Sequence, residues 1–253
     1  MIDGDTYDAL VAELYDDILA DVPFGDLEVW AEMVRTAEAP ALELACGTGR
    51  VLLPLLARGL AVEGLDVSEA MLAVCRRKAA AQGLAPVLHR AAMQDFDLGR
   101  RFGAVFCPVA SLSLLTADGS QAAVLACAFR HLRPGGVLAL AMDDLAESED
   151  VSPPADAPAV LHREARRADG SVVRVHRRPL PASAAGVTRT ELVYTVEQDG
   201  RVVTRAVRAV DLRPPSPEAM RALLTAAGFT SVGVVSGPGG DGFLATARRP
   251  AAT

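Results

Sequence analysis

A glycine-containing turn is the first part of this sequence that could bind a ligand. The apolar run 41–45 leads into Gly47 and Gly49, which allow backbone angles and a close approach that a side chain would block. The helix expected after the turn directs its N-terminus, with its free backbone N–H groups, at the same gap. This pattern predicts a small-molecule site at the carboxyl end of the first strand.

Two carboxylates indicate the kind of ligand. Glu43 lies inside the strand just before the turn, where its charge favours a cationic or zwitterionic ligand over a doubly anionic one. Asp66 ends the next apolar run, 17 residues after Gly49, and its two oxygens can accept both hydroxyls of a ribose. Leu52 stands where a dinucleotide-binding turn has its third glycine, so that fingerprint fails.

A general base is harder to find in the sequence. Asp143 follows the expected fifth strand, at the edge where open parallel sheets bind ligands, and it either caps a loop or serves as a base or amine anchor. His131 is interpreted as a positive charge at a helix C-terminus and His89 as a structural strand residue. His162 and His176 are expected at the surface. Asp143 is therefore a candidate, and no catalytic residue is assigned.

Strands and helices alternate along most of the chain and predict an α/β fold. Short apolar runs at 41–45, 61–67, 86–91, 104–109 and 137–142 alternate with amphipathic stretches, which is typical of a parallel sheet covered on both faces. Ser68 and Ser216 are candidate N-caps. The last two strands, 229–236 and 243–247, are joined by a short glycine-rich turn and should pair antiparallel. The prediction is a doubly wound, mostly parallel seven-stranded sheet with an antiparallel C-terminal hairpin.

An insert interrupts this pattern between residues 160 and 213. Its apolar residues recur with a period of two, and its Asp169-Gly170 and Asp199-Gly200 pairs are hairpin turns, so three or four antiparallel strands are expected. It carries 11 arginines and 6 acidic residues, a net charge of +5, against −12 for the rest of the chain. This arginine-rich sheet either faces solvent or forms a wall that selects an acceptor. Residues 147–158 are interpreted as a mobile linker.

The N-terminal helices expected at 6–19 and 27–37 leave two alternatives open. They either pack on the edge of the domain or form a lid over a bound ligand. Tyr7 and Tyr15, about two helical turns apart, would face the site in the second case.

Composition excludes several classes of protein. The chain has 253 residues, of which 51% are hydrophobic, and a net charge of −7, which argues against a nucleic-acid partner. No run approaches the roughly 18 uncharged apolar residues of a membrane span, and no secretory signal is expected. The four cysteines lack zinc-site spacing and are expected to be reduced, mostly buried thiols, so no metal is predicted and the expected location is cytoplasmic.

Five segments together resemble the successive motifs of the class I S-adenosylmethionine-dependent methyltransferases. They are 42–50 (LELACGTGR), 64–72 (GLDVSEAML), 93–96, 101–108 and 131–137, and their order and the closing hairpin agree with that family over residues 7–248. The insert resembles that of small-molecule enzymes, including sugar N-methyltransferases and related natural-product enzymes. The resemblance implies an enzyme that moves a methyl group from S-adenosylmethionine to an O or N atom of a small-molecule acceptor, leaving S-adenosylhomocysteine.

The resemblance also implies residue roles. Glu43 and the backbone at Ala45, Cys46, Gly47, Thr48 and Gly49 would hold the methionine part, and Asp66 with the neighbouring Ser68 the ribose. Val67 and Met71 would pack on the adenine, and Met93 and Gln94 would lie along its edge. Cys107, Pro108 and Val109 would face the sulfonium, and Tyr15 would close the methionine end. The acceptor would contact Tyr7, Ser111 and Asp143.

This sequence departs from the family pattern at three places. Ala45 replaces the first glycine of the motif. Ala92 stands where the family often has an aspartate that accepts from the adenine amino group. Cys107-Pro108-Val109 replaces the signature of the DNA-amine methyltransferases, which argues against that class.

The resemblance divides the chain into three parts. They are an N-terminal helical lid (1–40), a cofactor-binding core (41–150 and 214–253), and a β insert (151–213) that caps the acceptor side and could join two copies as a homodimer. Two alternatives are weighed against this function. One is a methyltransferase-fold protein that catalyses another reaction or acts as a partner subunit. The other is an NAD-dependent oxidoreductase, which shares the turn and Asp66 but lacks the third glycine.

Overall fold

The computed structural model describes residues 7–37, 40–142, 158–237 and 242–252. Two sheets and six helices build this part of the chain. The helices are α1 (Ala9–Leu19), α2 (Leu27–Thr36), α3 (Leu52–Ala57), α4 (Glu69–Ala81), α5 (Ser120–His131) and α6 (Pro217–Ala226). The strands are β1 (Ala41–Leu44), β2 (Val62–Asp66), β3 (Leu88–Arg90), β4 (Phe102–Cys107), β5 (Leu132–Met142), β6 (Val160–Arg166), β7 (Val172–Leu180), β8 (Thr188–Gln198), β9 (Arg201–Leu212), β10 (Thr230–Ser236) and β11 (Phe243–Arg248).

The larger sheet has seven strands in the order β10-β11-β5-β4-β1-β2-β3. Strands β1 to β5 are mutually parallel, and β11 runs antiparallel to both β5 and β10. The predicted sheet and its closing hairpin are therefore confirmed. From β1 the chain proceeds to β2 and β3 on one side and to β4 and β5 on the other, so the strand order reverses at β1. In open α/β sheets, ligands bind at the carboxyl ends of the strands at this kind of reversal.

Two apolar layers cover the sheet. On one face, α5 and α6 pack through residues such as Leu125 and Leu224. On the other face, α2, α3 and α4 bury Trp30, Leu53 and Leu72, and the Trp30 ring stacks on Phe106 with centroids 5.4 Å apart. The strands of the middle are buried on both faces, which explains their continuous apolar runs.

Capping side chains fix where the helices begin. Ser68 accepts a hydrogen bond from the N–H of Met71, as its position before α4 predicts. Ser216 does the same for Ala219 at the start of α6, where Pro217 occupies the first turn. Helix α4 thus starts three residues after Asp66, which holds that carboxylate at the edge of the sheet.

The insert is a separate four-stranded antiparallel sheet in the order β6-β7-β8-β9. One of its faces packs against α1, where Val173, Val175 and Tyr194 meet Val11 and Leu14. Asp199 and Gly200 both have positive φ angles in the β8–β9 turn, as the Asp-Gly pair predicts. Helix α1 therefore lies between the insert and α4 of the core.

His131 is the last residue of α5, so its position at a helix C-terminus is confirmed. The residue is buried, its Nδ1 lies 2.8 Å from the carbonyl oxygen of Cys127, and its Nε2 accepts a 3.1 Å hydrogen bond from the N–H of Leu98. Nε2 also lies 3.7 Å from Oδ1 of Asp97. His131 thus tethers the segment before β4 to α5.

Other predictions concern cysteines, metals and membranes. The four cysteines are free and buried, as expected. Within the described ranges, no group of His, Cys, Asp and Glu side chains is arranged to hold a metal ion. No helix in the same ranges is long and apolar enough to cross a membrane. The candidate Asp143 and nearly all of the linker expected at 147–158 lie outside the described residues.

Candidate functional site

A cavity of about 340 Å³ opens at the carboxyl ends of β1 and β2. It lies at the reversal of strand order, where the topology predicts a ligand, and its volume is within the roughly 300–1,000 Å³ of small-molecule sites. Its wall is mostly apolar and comes from α1, the turn after β1, the end of β2, the segment after β3 and the turn at Ser111–Leu114. The lining residues are Tyr7, Tyr15, Ala45, Gly47, Leu65, Asp66, Val67, Met71, Ala91, Ala92, Met93, Gln94, Ser111 and Leu114.

Asp66 is the carboxylate on this wall. Its Oδ2 accepts a 2.8 Å hydrogen bond from the N–H of Gly47, and its Oδ1 accepts a 2.9 Å bond from the N–H of Ser68. Burial raises the pKa of Asp66, while these backbone N–H groups act in the opposite direction. Each oxygen keeps a further lone pair, so the carboxylate can accept two hydroxyls of a ligand.

The two glycines of the turn serve different purposes. At Gly47, which has a φ of +54°, an added Cβ would meet no atom within 4 Å, so a side chain there would extend into free space. At Gly49, an added Cβ would lie 2.8 Å from Cys75 Sγ and Leu53 Cγ. Gly49 has a φ of +85° and is not among the residues that line the cavity. It is small because α3 and α4 pack against it.

Ala45 also has a left-handed backbone, with a φ of +52°. This conformation costs a residue with a Cβ roughly 1–2 kcal/mol, which glycine avoids. The position is the one where the sequence departs from the glycine of the family motif, and the alanine side chain lines the cavity.

Glu43 is buried behind the cavity rather than on its wall. Its Oε2 is shielded from solvent and has no hydrogen-bond partner among the described residues. Burial raises the pKa of Glu43 well above its usual value, and Arg50 is the main group that opposes this shift. Arg50, however, already makes two hydrogen bonds to Asp26, of 2.8 and 2.7 Å. A cation bound near Glu43 would therefore find a carboxylate oxygen, Oε2, that has no partner among the described residues.

Two tyrosines from the N-terminal segment close one side of the cavity. The rings of Tyr7 and Tyr15 meet edge to face with centroids 6.1 Å apart. Burial raises the pKa of both phenols, that of Tyr15 to about 12, so both are neutral at physiological pH. Each can donate one hydrogen bond and offers an apolar ring surface.

Polar contacts attach this segment to the core. Thr48 Oγ1 donates a 2.6 Å hydrogen bond to Asp16, and Ser68 Oγ donates a 2.7 Å bond to the carbonyl oxygen of Tyr7. On the exposed side, Glu13 accepts two hydrogen bonds from Arg77 of α4. The side chains of Thr48 and Ser68, both predicted to contact the ligand, thus hold α1 and its tyrosines in position.

Several residues predicted for the site lie off the cavity wall. Cys46 packs in the core layer of α3 and α4, and Cys107 donates its thiol hydrogen to the carbonyl oxygen of Val109 at 3.2 Å. Pro108 and Val109 connect β4 to the following turn and do not line the cavity. Ser111, at the start of that turn, does.

Four wall residues were not predicted as site residues. Leu65 precedes Asp66 at the end of β2, and Ala91 and Ala92 precede the predicted Met93. Leu114 is three residues after Ser111, the spacing that puts two side chains on the same side of a 3-10 turn. The spacing of Leu114 from Ser111 was the signal that could have identified it.

Comparison with known proteins agrees with this geometry. A family model described as a methyltransferase domain matches residues 41–136, which include the turn, Asp66 and Met93. A Streptomyces fradiae protein, dTDP-3-amino-3,6-dideoxy-alpha-D-glucopyranose N,N-dimethyltransferase, is 30% identical over 245 residues, covering 94% of this chain and 91% of its own length. A Streptomyces venezuelae enzyme, dTDP-3-amino-3,4,6-trideoxy-alpha-D-glucopyranose N,N-dimethyltransferase, is 33% identical over 213 residues, covering 83% of this chain and 84% of its own.

A solved structure is similar over almost the whole chain. It is the SAM-bound amino pentose methyltransferase CalS10 from Micromonospora echinaspora, with a TM-score of 0.73 and 27% identity over 94% of this chain and 96% of that one. The similarity includes the insert as well as the larger sheet, because the covered share extends beyond the 96-residue methyltransferase domain.

Proposed function

Because this chain belongs to the family of S-adenosylmethionine-dependent methyltransferases, we propose that it methylates the amino group of a nucleotide-activated amino sugar. The enzyme is a methyltransferase and its cofactor is S-adenosylmethionine. The composition of the cavity wall is the observation that supports nitrogen, rather than oxygen, as the methylated atom. Among the described residues, its titratable side chains are Asp66, Tyr7 and Tyr15, none of which is suited to deprotonate a hydroxyl.

The acceptor class follows from this chemistry together with the relatives. An amine can reach the site unprotonated and attack without a base, whereas a hydroxyl must lose its proton in the transition state. The Streptomyces fradiae and Streptomyces venezuelae relatives are named N,N-dimethyltransferases of dTDP-linked 3-amino sugars. The same names favour this function over the oxidoreductase and over a partner subunit without transfer activity.

The cavity fits the cofactor on three points. It offers a carboxylate with two free acceptor positions, a turn that leaves space at Gly47, and, behind the turn, the buried Oε2 of Glu43, which has no partner among the described residues. A nucleoside with a cationic amino acid end is complementary to all three. When bound, S-adenosylmethionine supplies a methyl group on a positively charged sulfur, which is already a strong electrophile.

The residues of this chain bind and orient the two reactants. Asp66 accepts the ribose hydroxyls, Glu43 attracts the ammonium end, and Gly47 gives the methionine part room beside the turn. Val67 and Met71 pack on the adenine, with Met93 and Gln94 along its edge. Alignment of this kind can lower the barrier by roughly 7–11 kcal/mol without any acid or base.

The other side of the cavity is proposed to admit the acceptor. Ser111 and Leu114 line this side, and Tyr7 borders both the cavity and the apolar contact between α1 and the insert. The insert thus acts as an acceptor-side cap, and the N-terminal segment with Tyr7 and Tyr15 as a lid. Water is excluded when the lid is closed, which protects the cationic sulfur from unproductive contacts.

A homodimer through the insert remains a separate proposal. Both edge strands expose apolar side chains, Val160 and Leu161 on β6 and Val202 and Val203 on β9. Exposed edge strands pair readily with other strands. Light scattering after gel filtration, with Leu161→Lys and Val203→Lys variants, tests this.

One assay tests the function. The protein is incubated with S-adenosylmethionine and dTDP-3-amino-3,6-dideoxyglucose, and the products are followed by mass spectrometry and by S-adenosylhomocysteine release. The matched control is the same nucleotide sugar with a hydroxyl in place of the amine. We expect one or two methyl groups on the nitrogen and no product from the control. Methylation of the hydroxyl control, or no transfer to any nucleotide-linked amino sugar, would overturn the proposal.

A further inference from the structure

The two faces of the insert sheet differ in charge. The inner face is defined by Val173, Val175, Tyr194 and Val196, which pack with α1. In an antiparallel sheet, paired residues share a face and side chains alternate along each strand. The register therefore assigns each paired strand residue of the insert to the inner or the outer face, and the unpaired His162 and Val203 lie at register shifts.

All four carboxylates of these strands lie on the outer face, and each is paired there. Arg174 contacts both Glu164 and Glu197, Arg178 contacts Glu191, and Arg189 contacts Asp211. Arg166 and Arg205 also lie on this face, so its described strands carry five arginines against four carboxylates.

The inner face has arginines and no carboxylate among its described strand residues. Arg163 lies opposite Val175, and Arg177 lies opposite Leu192, which in turn pairs with Arg208 on β9. Arg208 forms an ion pair with Asp8, the residue that caps α1. Arg163 and Arg177 are exposed, and neither has a carboxylate partner within the part of the chain that the structure describes.

Arg163 and Arg177 lie close together on the inner face, because Arg163 is opposite Val175 and Arg177 is two residues after Val175 on the same strand. Burial lowers the pKa of His162, and the positive charges of Arg163 and Arg177 lower it further. Two cations close enough to act on the same imidazole, with no carboxylate beside them, create a local positive potential that favours an anion.

The part of the inner face that holds Arg163 and Arg177 adjoins the acceptor side of the cavity. Arg177 and Arg208 are separated by one strand, because each lies opposite Leu192 on β8. Neighbouring strands are about 4.8 Å apart, so the Cα atoms of the two arginines are about 10 Å apart. Arg208 in turn forms its ion pair with Asp8, the residue after Tyr7. The end of β9 is also tied to the cavity, because the N–H of Arg213 donates a 2.7 Å hydrogen bond to the carbonyl oxygen of Ser113. The inner face beyond α1 therefore continues from the wall formed by Ser111 and Leu114.

We propose that Arg177 and Arg163 bind the diphosphate of a nucleotide-activated acceptor and so select this class of substrate. The inference rests on the proposed function and adds a binding site to it. The planar guanidinium group can hold phosphate oxygens through two parallel hydrogen bonds, which suits arginine better than lysine to this task. With the diphosphate held on the insert, the attached sugar extends toward Ser111 and the cofactor.

Calorimetry with thymidine diphosphate, on protein loaded with S-adenosylhomocysteine, tests the site. We expect Arg177→Gln to weaken binding by about tenfold or more and the double variant with Arg163→Gln to weaken it further, since charge-assisted bonds to phosphate are lost. The matched control is Arg205→Gln, an exposed arginine that lies opposite Thr195 on the outer face, and it should bind as the wild type does. Thymidine, which lacks phosphates, should bind weakly and equally to all variants. Inorganic pyrophosphate separates recognition of the diphosphate alone from recognition of the whole nucleotide.

Equal binding of thymidine diphosphate to the wild type and the double variant would overturn the arginine assignment. If the proposed function is wrong, the result is different: the wild type does not methylate nucleotide-linked amino sugars. If it methylates them and Arg177→Gln leaves the KM for them unchanged, only the assignment of the arginines is wrong. Both side chains are exposed, so thermal unfolding and affinity for S-adenosylmethionine should be unchanged in every variant.

Discussion

The N–H of Gly47 donates a 2.8 Å hydrogen bond to Oδ2 of Asp66, so the turn after β1 is attached directly to the end of β2. The other carboxylate oxygen accepts from Ser68, the cap of α4. One side chain thus joins three elements at the edge of the sheet and still has lone pairs that face the cavity. Asp66 positions the turn and is proposed to bind the ligand with the same group.

Replacing this carboxylate should therefore weaken cofactor binding. We expect Asp66→Ala to lower the affinity for S-adenosylmethionine at least about tenfold, because hydrogen bonds to charged groups contribute roughly 1.5–3 kcal/mol each. Calorimetry measures the affinity, with Asp95→Ala as the control because Asp95 is exposed and off this wall. Unchanged affinity in a folded Asp66→Ala variant would count heavily against the site.

The two glycines of the turn should respond differently to the same substitution. Both have positive φ angles, so alanine is strained at either position by about 1 kcal/mol. We expect Gly47→Ala to reduce cofactor affinity more than stability, since its methyl enters open space. Gly49→Ala should mainly destabilise the fold, by a further 1–3 kcal/mol or so of overpacking against Cys75 and Leu53. Thermal unfolding and calorimetry on both variants separate the two effects, and the reverse pattern would contradict the assignment.

The sheet and insert could be predicted because their signals are local. Continuous apolar runs indicated buried parallel strands, alternation in the insert indicated a half-exposed sheet, and Ser68 and Ser216 marked helix starts through their own hydrogen bonds. The contact of His131 with the N–H of Leu98 could not be predicted, because the two residues are distant in sequence. No spacing rule could reveal that contact.

The site was predictable to the extent that strand ends define it. Asp66 ends β2, Gly47 lies in the turn after β1, and both line the cavity. Cys46 and Gly49 follow a strand too, but in the tight turn they face the helix layer instead. Sequence spacing alone does not say which side of a turn meets the ligand. Likewise, the arginines of the insert could be divided between the two faces of its sheet only once the strand register was known.

Glu43 should make the stability of the ligand-free protein depend on pH. Its pKa is raised on folding, mainly by burial, so the folded state binds more protons than the unfolded state above the usual pKa of about 4.3. The stabilisation from the neutral carboxyl is complete below that pH and is lost as pH rises through the higher folded-state value. Glu43→Gln, which is always neutral, should therefore be more stable than the wild type at neutral pH. Calorimetric scans between about pH 5 and 8 measure the difference, which should grow with pH.

The same substitution should act in the opposite direction on cofactor binding. A neutral amide cannot attract the ammonium end of S-adenosylmethionine, so Glu43→Gln should bind it more weakly and with less pH dependence. Glu63→Gln is the control, since Glu63, on the neighbouring strand β2, is also a buried carboxylate but is already paired with His89 and Arg100. If Glu43→Gln binds the cofactor as tightly as the wild type, Glu43 does not serve the methionine end.

Thr48 should control how long the lid stays closed. Its hydroxyl donates a 2.6 Å hydrogen bond to Asp16 on α1, next to Tyr15. Thr48→Val keeps the shape and removes this bond, so we expect the cofactor to dissociate about tenfold faster, measured by stopped-flow fluorescence. Thr36→Val is the control, because the Thr36 hydroxyl bonds only within α2 among the described residues. Equal dissociation rates in the two variants would argue that α1 packs passively on the domain.

Ala92 should limit affinity at the adenine end of the cavity. It lines the wall at the position where the family resemblance implies an aspartate that accepts from the adenine amino group. Ala92→Asp supplies that acceptor, and one hydrogen bond to a carboxylate should tighten binding of S-adenosylhomocysteine by about tenfold. The matched ligand is its purine analogue, in which a hydrogen atom replaces the amino group, so that this edge of the base has no N–H donor. Calorimetry should show the gain for the adenine compound alone, because the added carboxylate can accept a hydrogen bond only from an N–H donor. An equal gain for both ligands would mean that the substitution acts through the shape or charge of the cavity rather than through the adenine edge.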